Sequence, residues 1–201
     1  MLTTTTTTTT IKRLTTTLLL TRPIMTDTKP NTKPKLNVHN FPRPPLCEKT
    51  NRHLLIKWND QTIAETTDAY WVLETTHPPT YYLPPSSINS AAATITPVPK
   101  YSTMCEWKGA ATYHDIKLNS SSAGGAVGGG QPVKRKIWSY ESPTPRFAGI
   151  KGYLCFYASG VPWRCFVDGE EVVPQEGDFY GGWVTSELEG RMKGGPGTWG
   201  W

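Results

Sequence analysis

Short runs of apolar residues, many alternating with polar ones, recur between residues 53 and 173, which is the pattern typical of β-strands. Two dipeptides between such runs, Asn59-Asp60 and Asp168-Gly169, favour the tight turns of β-hairpins. The pattern predicts a mainly β fold: a compact antiparallel β domain, barrel-like or two-sheet, with one or two short helices. The predicted strands are residues 53–58, 61–66, 70–74, 80–83, 111–118, 133–140, 152–157 and 163–173.

Short helical segments are expected where proline begins a segment and glycine ends it. Residues 142–150 have Pro143 and Pro145 near their start and Gly149 near their end, so we expect one or two helical turns there. A further short turn or helix is expected at residues 85–90.

Composition divides the chain into three segments. Residues 1–46 are rich in Thr and Pro, and we expect them to be disordered or transit-like, ending in an extended arm. Residues 47–176 form the β domain, with a flexible Ser/Gly loop at residues 119–130. Residues 177–201 form a tail rich in Gly and Trp, which we expect to pack on the domain because isolated exposed Trp residues are unusual.

The N-terminal segment bears on localisation. Residues 1–28 contain 14 threonines and no acidic residue before Asp27, a composition that resembles an organelle transit peptide. The alternative is that translation starts at Met25. We therefore predict a cytoplasmic protein, or a mitochondrial one if residues 1–24 are a translated transit peptide.

The net charge of +5 is unevenly distributed. Residues 1–46 hold seven basic residues and one acidic residue, whereas the other 155 residues hold 14 basic and 15 acidic residues. Because a duplex-binding face needs clustered Lys and Arg, we predict no nucleic-acid partner. The apolar runs are also far shorter than the ~18 residues of a membrane-spanning helix, so no membrane partner is predicted.

The four cysteines form no CxxC pair, and we expect reduced thiols, with Cys155 and Cys165 as small core residues. Neither cysteine nor histidine spacing predicts a metal site. No motif for a phosphate or dinucleotide cofactor is present, so the cofactor is unknown.

Three stretches combine reactive side chains with aromatic ones. In the first, at residues 74–84, two prolines after His77 fix the backbone near Glu74. A carboxylate near an imidazole raises its basicity and selects a tautomer, as acid–base catalysis requires. We predict Glu74 and His77 as catalytic residues and Tyr82 as a ligand-binding residue. The alternative is that His77 caps the turn by bonding to backbone carbonyls.

In the second stretch, residues 105–113, Lys108 is predicted as a catalytic residue because its ammonium can bind an acidic substrate or lie over an aromatic face. Cys105, Trp107 and Tyr113 are predicted to contact the ligand. Cys105 is a nucleophile if a neighbouring Lys108 or His77 stabilises its thiolate, and otherwise a structural residue.

The third stretch, residues 137–145, contains Trp138 and Tyr140 two positions apart. In a strand these side chains share one face and Ser139 takes the other. That face lines an aromatic ligand pocket or belongs to the core, and we predict both aromatics as ligand-binding residues.

Together these stretches resemble the family called domain of unknown function 427, over about residues 52–173. The tail from Gly177 to Trp201 is similar to one carried by some fungal and bacterial members. The resemblance implies a compact β-rich domain of unassigned activity, sometimes given a nucleotidyltransferase-like label. The resembling pieces are ETTHPPTYYLP at 74–84, CEWKGAATY at 105–113, IWSYESPTP at 137–145 and IKGYLCFY at 150–157.

The carboxylates argue against that label. Nucleotidyl transfer usually needs paired carboxylates for Mg²⁺, and no DxD pair occurs. Asp168 belongs to a predicted hairpin turn. Glu170 and Glu171 are adjacent, so they face opposite sides of a strand.

A metal site formed by His77 with Cys105 or His114 has little support from the spacing. Two other functions remain, and the residues do not decide whether the protein is an enzyme. The favoured one is binding or transformation of a small, partly anionic or carbonyl-bearing metabolite in a pocket containing His77 and Lys108. The alternative is a non-catalytic interaction module whose aromatic tail makes a homo-oligomer or contacts a partner.

Overall fold

The computed structural model describes residue 1 and residues 34–119, 131–177 and 179–198. The chain divides into two units, residues 1–32 and 33–201, and the fold described below is that of the second unit. The transit-peptide prediction for residues 1–24 and the flexible-loop prediction for residues 119–130 lie, apart from residues 1 and 119, outside the described residues and stay predictions.

The described residues are mainly β, which confirms the predicted fold class. Three short 3-10 helices occur among them, at Val38–Asn40, Pro85–Ser87 and Pro145–Ile150, and the last two coincide with predicted helical turns. The strands are β1 (Leu36–Asn37), β2 (Leu46–Thr50), β3 (Leu54–Trp58), β4 (Gln61–Thr66), β5 (Ala69–Leu73), β6 (Thr80–Tyr82), β7 (Ala93–Cys105), β8 (Gly109–Leu118), β9 (Val133–Ser139), β10 (Cys155–Phe156), β11 (Trp163–Val167), β12 (Glu170–Glu171), β13 (Val173–Pro174), β14 (Trp183–Val184) and β15 (Leu188–Glu189).

Most of these strands belong to three antiparallel sheets. Two sheets have four strands, in the orders β10-β9-β8-β7 and β12-β11-β3-β4, and the third has the order β2-β5-β6. The pairs β13-β14 and β1-β15 are separate, and β1-β15 is parallel. Among the described strands no sheet closes on itself, so the structure is layered rather than a closed barrel.

Both predicted hairpin turns are confirmed. Asn59 and Asp60 have φ of 50° and 59°, and Asp168 and Gly169 have φ of 51° and 85°. Left-handed backbone at both central residues is the requirement of the type I′ turn, whose twist matches that of the flanking strands. The turns therefore join β3 to β4 and β11 to β12 in register.

The main core lies between the two four-stranded sheets. Along β3, Leu54 and Ile56 are fully buried while Leu55 between them is partly exposed, the alternation expected of a strand with one core-facing side. Ile137 and Phe156 of the other sheet belong to the same cluster. Burial of each such side chain contributes about 1.5–3 kcal/mol.

The 13-residue strand β7 was not predicted, because most of its side chains are exposed and show no alternation. It is the outer strand of its sheet, where proline is tolerated because one row of backbone groups has no strand partner. Pro97 fits this position, and the pairing register with β8 shifts between Pro97 and Ser102.

Residues before β2 pack on the domain where an extended arm was expected. Leu36 pairs with Leu188 of the tail, and Val38 is fully buried. Val38, Phe41 and Leu73 form a small cluster of their own. Leu73 and Leu188 of this cluster come from distant parts of the chain, so the local composition did not reveal the burial of Val38.

The described part of the tail lies against the same core. Trp183 is fully buried within the main cluster, and its indole N–H donates to the carbonyl of Phe156 at 2.9 Å. Arg52 bonds to Glu187 at 2.9 Å and to Asp168 at 3.0 Å, which ties the tail to the β11–β12 hairpin.

Cys155 and Cys165 are buried, as predicted, and all four cysteines are free thiols. None of the helices in the described ranges is long and apolar enough to cross a membrane.

Candidate functional site

A cavity of about 200 Å³ lies between the sheet that contains β7, β8 and β9, the loop after β5, and the tail. The pairing of β8 with β9 sets Tyr113 opposite Trp138, which brings the second predicted stretch against the third. The β5–β6 region supplies the first stretch. Eight of the nine predicted site residues line this cavity: Glu74, His77, Tyr82, Cys105, Lys108, Tyr113, Trp138 and Tyr140.

Trp107 does not line the cavity, although we predicted it as a ligand-binding residue. It lies in the turn between β7 and β8, and its carbonyl accepts a hydrogen bond from Thr144 Oγ1 at 2.6 Å. The guanidinium of Arg43, not the ammonium of Lys108, covers its ring, at 5.5 Å from the ring centroid. Lys108 does lie over aromatic faces, those of Tyr140 and Phe147 rather than that of Trp107.

Glu74 is held by an ion pair. Its Oε1 lies 3.2 Å from Nη1 of Arg43, whose Nη2 lies 2.9 Å from Oε1 of Glu106. Arg43 thus neutralises charge at this edge of the cavity. Glu74 and His77 are joined by a backbone hydrogen bond, from the amide of His77 to the carbonyl of Glu74 at 3.0 Å. Their side chains contact Arg43 and the carbonyl of Thr75, respectively.

His77 has a defined tautomer. Its Nδ1 lies 3.0 Å from the carbonyl oxygen of Thr75, and because a carbonyl can only accept, Nδ1 must carry the proton. In the neutral ring, Nε2 is then the acceptor. This is the turn-capping contact that we considered as the alternative, yet the same ring also lines the cavity. The ring of Tyr180 contacts it edge-on, with centroids 5.1 Å apart.

Burial lowers the pKa of His77 below its usual 6.5. The hydrogen bond to Thr75 and the charge of Glu74 oppose this shift, while the positive charges of Lys193 and Lys108 add to it. The imidazole is therefore neutral near pH 7, with a lone pair on Nε2 that can accept a proton.

Lys108 also lines the cavity. Its Nζ is 5.9 Å from the ring centroid of Tyr140 and 5.8 Å from that of Phe147. No carboxylate within the described ranges forms an ion pair with it. An ammonium over aromatic rings without a counter-ion can recruit an anionic ligand.

Four aromatic rings form a continuous wall. The ring centroids of Tyr157 and Trp138 are 4.6 Å apart. The ring centroid of Tyr82 lies 6.4 Å from that of Trp138 and 6.3 Å from that of Tyr140. Burial raises the pKa of all three phenols, so their hydroxyls stay protonated and can donate hydrogen bonds.

The hydroxyl of Tyr82 has unused hydrogen-bonding capacity. It is buried, and it makes no hydrogen bond with any residue that the structure describes. Burial is the main cause of the rise in its pKa. Trp138 and Thr80 lie near the hydroxyl and oppose that rise. Because Tyr82 is fully buried, its hydroxyl belongs to the packed part of the wall and has no surface open to a ligand.

Cys105 lines the cavity as a partly buried free thiol. Within the described ranges no basic side chain hydrogen-bonds to it, so the structure supplies no activating base for the nucleophile alternative. Its structural role and its ligand-contact role both stay predictions.

The tail closes one side of the cavity, and sequence reasoning missed this. Tyr180 and Gly181 line it together with Gln175 and Tyr157. The hydroxyl of Tyr157 donates to the carbonyl of Phe179 at 3.3 Å. The Gly-Gly pair between aromatic residues was the available signal, because such a pair permits close backbone approach to a ring.

Gln175 holds the tail in place. Its side-chain nitrogen donates to the carbonyl of Lys193 at 2.6 Å, and its Oε1 accepts from the amide of Gly182 at 3.2 Å. Both ends of this buried amide are satisfied within the chain, so its role at the cavity is positional.

A second polar cluster lies on the other face of β8 and β9. Ser139 Oγ donates to Glu141 Oε1 at 2.6 Å and lies 2.8 Å from His114 Nε2, which must therefore carry the proton. Burial lowers the pKa of His114, against the charge of Glu141. As predicted for a strand, Ser139 faces away from Trp138 and Tyr140.

The chemistry of the site is thus a neutral imidazole, an ammonium and phenolic donors around an aromatic cavity. No group of three or more His, Cys, Asp or Glu residues suited to a metal ion occurs in the ranges that the structure describes.

Comparison with known proteins gives one family. The family described as Domain of unknown function (DUF427) matches residues 46–172, which include every predicted site residue. No curated protein matches the chain. The match covers well over half of the sequence and contains the strands that line the cavity, but not the tail residues that close it. The chain therefore belongs to the DUF427 family.

Proposed function

We propose that the cavity binds a small anionic or carbonyl-bearing metabolite. One observation carries the proposal: polar groups with unused bonding capacity converge on a single cavity with aromatic walls. These groups are the ammonium of Lys108 and Nε2 of His77. A cavity with a few convergent polar groups on apolar walls is the usual form of a small-molecule site.

Lys108 and His77 have separate roles in this proposal. Lys108 is the charge partner of the ligand, because it faces the cavity without an ion pair from the described residues. His77 exchanges a proton with the bound molecule through Nε2, because Nδ1 is already committed to Thr75. Glu74 acts through its charge and through the backbone of the turn.

The alternative of phosphoryl or nucleotidyl transfer has less support. The carboxylates outside the cavity that could hold Mg²⁺ are engaged elsewhere: Glu170 with Ser186, Glu171 with Arg164, and Asp168 with Arg52. They do not converge, so the described residues do not fit a magnesium triphosphate site.

Thermal unfolding of the full chain with a panel of carboxylates, aldehydes, ketones and phosphates tests the proposal. A ligand at 100 times its Kd stabilises the folded state by about 2.7 kcal/mol, which is readily measured as a rise in Tm. Lys108→Gln should abolish the rise. Lys117→Gln is the matched control, since Lys117 is exposed on β8, the strand that follows Lys108, and does not line the cavity.

Two results would contradict the proposal. One is the absence of stabilisation by every compound in the panel. The other is an equal rise in Tm for the unmutated protein and for Lys108→Gln, which would mean that the compound binds elsewhere.

A further inference from the structure

We propose that the ligand is an elongated dianion, a small molecule with one anionic group at each end, and that Lys136 and Arg135 at the rim of the cavity form the second anion site. This inference rests on the proposed function, in which Lys108 binds the first anionic group. It adds the length and the total charge of the ligand.

Lys136 lies at the rim, beside a ring that lines the cavity. Its Nζ is 5.3 Å from the ring centroid of Tyr157, and it donates to the carbonyl of Ser159 at 3.1 Å. These contacts hold the ammonium in place without a carboxylate. Because an ammonium has three donors, the bond to Ser159 leaves two for a ligand.

An irregular stretch of β9 turns Arg135 away from the core. In a regular strand Arg135 would share the core-facing side with Val133 and Ile137, which both pack in the main cluster. The pairing with β8 is interrupted here instead, and Arg135 has a φ of 55°, which is uncommon for a residue with a side chain. Its guanidinium carbon lies 4.5 Å from the ring centroid of Tyr101. Bulges re-aim side chains in this way and are frequent beside functional sites.

Both cations adjoin the cavity through tyrosine rings. The ring of Tyr101, beneath Arg135, contacts that of Tyr113 edge-on with centroids 5.0 Å apart, and Tyr113 lines the cavity. Tyr157, beneath Lys136, lines it as well. Neither cation forms an ion pair with a residue that the structure describes. The rim can therefore receive an anionic group from a ligand that occupies the cavity.

Strand geometry separates the two anion sites. Lys136, Trp138 and Tyr140 alternate along one face of β9 and its continuation, so the first and last are roughly 13 Å apart at the usual rise per residue. Lys108 lies over Tyr140, at the end remote from Lys136. A compact anion can occupy one site at a time, whereas a chain with an anionic group at each end can occupy both.

The charge around Lys108 matches one anionic group. Glu74 and Glu106 share the single guanidinium of Arg43, which leaves one negative charge there. Lys108 and Lys193 supply two positive charges, both within electrostatic range of the cavity imidazole. One net positive charge therefore remains at this end.

The charge at the rim also matches one anionic group. Asp115 is the acid beside Arg135, and its Oδ1 accepts the backbone N–H of Arg135 at 3.0 Å. Its charge offsets one of the two positive charges of Arg135 and Lys136. A ligand with one negative charge at each end thus neutralises both ends, and a monoanion leaves one of them uncompensated.

Titration calorimetry on the full chain tests the inference with acids of graded length. Succinate, adipate and suberate are the dianions, and hexanoate is the monoanion that matches adipate in length. We expect affinity among the dianions to peak at one length, because a short chain cannot reach both sites. The best dianion should bind at least about tenfold more tightly than hexanoate, since it gains a second charge-assisted contact.

Variants then locate the second site. Arg135→Gln and Lys136→Gln should each weaken binding of the best dianion several-fold and leave hexanoate binding unchanged. Lys108→Gln should weaken binding of both. Arg146→Gln is the matched control and should change neither, since Arg146 is an exposed arginine that does not line the cavity.

The outcomes separate this inference from the proposed function. If hexanoate binds as tightly as every dianion, or the two rim variants keep the preference for the dianion, the inference is wrong, while Lys108-dependent binding of any acid leaves the proposed function standing. If the rim variants abolish dianion binding and Lys108→Gln does not weaken it, the rim is a separate anion site and the inference is wrong. If no acid or carbonyl compound binds, both are wrong.

Discussion

The backbone of Gly181 lies directly against the indole ring of Trp138, so that a Cβ atom at position 181 would overlap the Cη2 atom of the ring. The tail can therefore close the cavity only because this residue has no side chain. Because of this contact, Trp138 and the tail cannot approach each other more closely, which fixes the distance between them.

Gly181→Ala should destabilise the folded protein by about 1–3 kcal/mol, because the added methyl group forces Trp138 or the tail to shift. Chemical denaturation measures the loss. The double variant with Trp138→Phe provides the control, since phenylalanine lacks the overlapping Cη2 atom. Its total loss should be smaller than the sum of the two single losses, and strict additivity would contradict the contact.

Arg52→Ala should destabilise the protein by about 3–5 kcal/mol, because the carboxylate of Glu187 is only 4% exposed and would lose its charge partner. The matched control is Arg164→Ala. Arg164 and Glu171 form a comparable pair with side chains 56% and 48% exposed, so this change should affect stability little. Equal effects of the two substitutions would show that the Arg52 pair is not effectively buried.

Stability should fall as the pH drops below about 6.5, because burial lowers the pKa of both His77 and His114 from that value. In the window between the folded and unfolded pKa values, the unfolded chain binds more protons than the folded one, so acid favours unfolding. Denaturant titrations at ~pH 7.5 and ~pH 5 measure the difference. His77→Gln and His114→Gln should each reduce this pH dependence, and a profile equally steep in both variants would exclude these two groups as its source.

Truncation after Glu176 distinguishes the cavity proposal from the interaction-module alternative. The deletion removes Trp183, which is fully buried in the main core, so we expect loss of cooperative unfolding in a thermal melt. If the tail served only for self-association, the truncated chain would keep its Tm and would lose only the ability to form a homo-oligomer.

A milder variant tests that alternative in the folded protein. Phe179 is 71% exposed at the edge of the cavity, and Phe179→Ser should leave both Tm and the elution volume in gel filtration unchanged. If the Phe179→Ser variant instead eluted as a smaller species than the unmutated protein, that result would support self-association through the tail.

Local sequence patterns were sufficient to predict the two hairpins and to predict that Trp138 and Tyr140 share one face. Turn residues determine left-handed backbone, and strand alternation determines which side chains share a face. The same reasoning did not find β7, because an exposed outer strand needs no apolar alternation. Nor did it find that Arg43 covers the ring of Trp107 while Lys108 lies over Tyr140, because these contacts join distant parts of the chain.

By itself the sequence determined the β class, the two tight turns and the residue types of the site, because these depend on neighbours within a few positions. Only the tertiary structure decided that Glu74, Lys108 and Trp138 surround one cavity, that the tail closes it, and that Val38 is buried. These relationships join residues far apart in the chain. They depend on strand pairing and on the space available in the folded core, and neither is encoded in any short stretch of sequence.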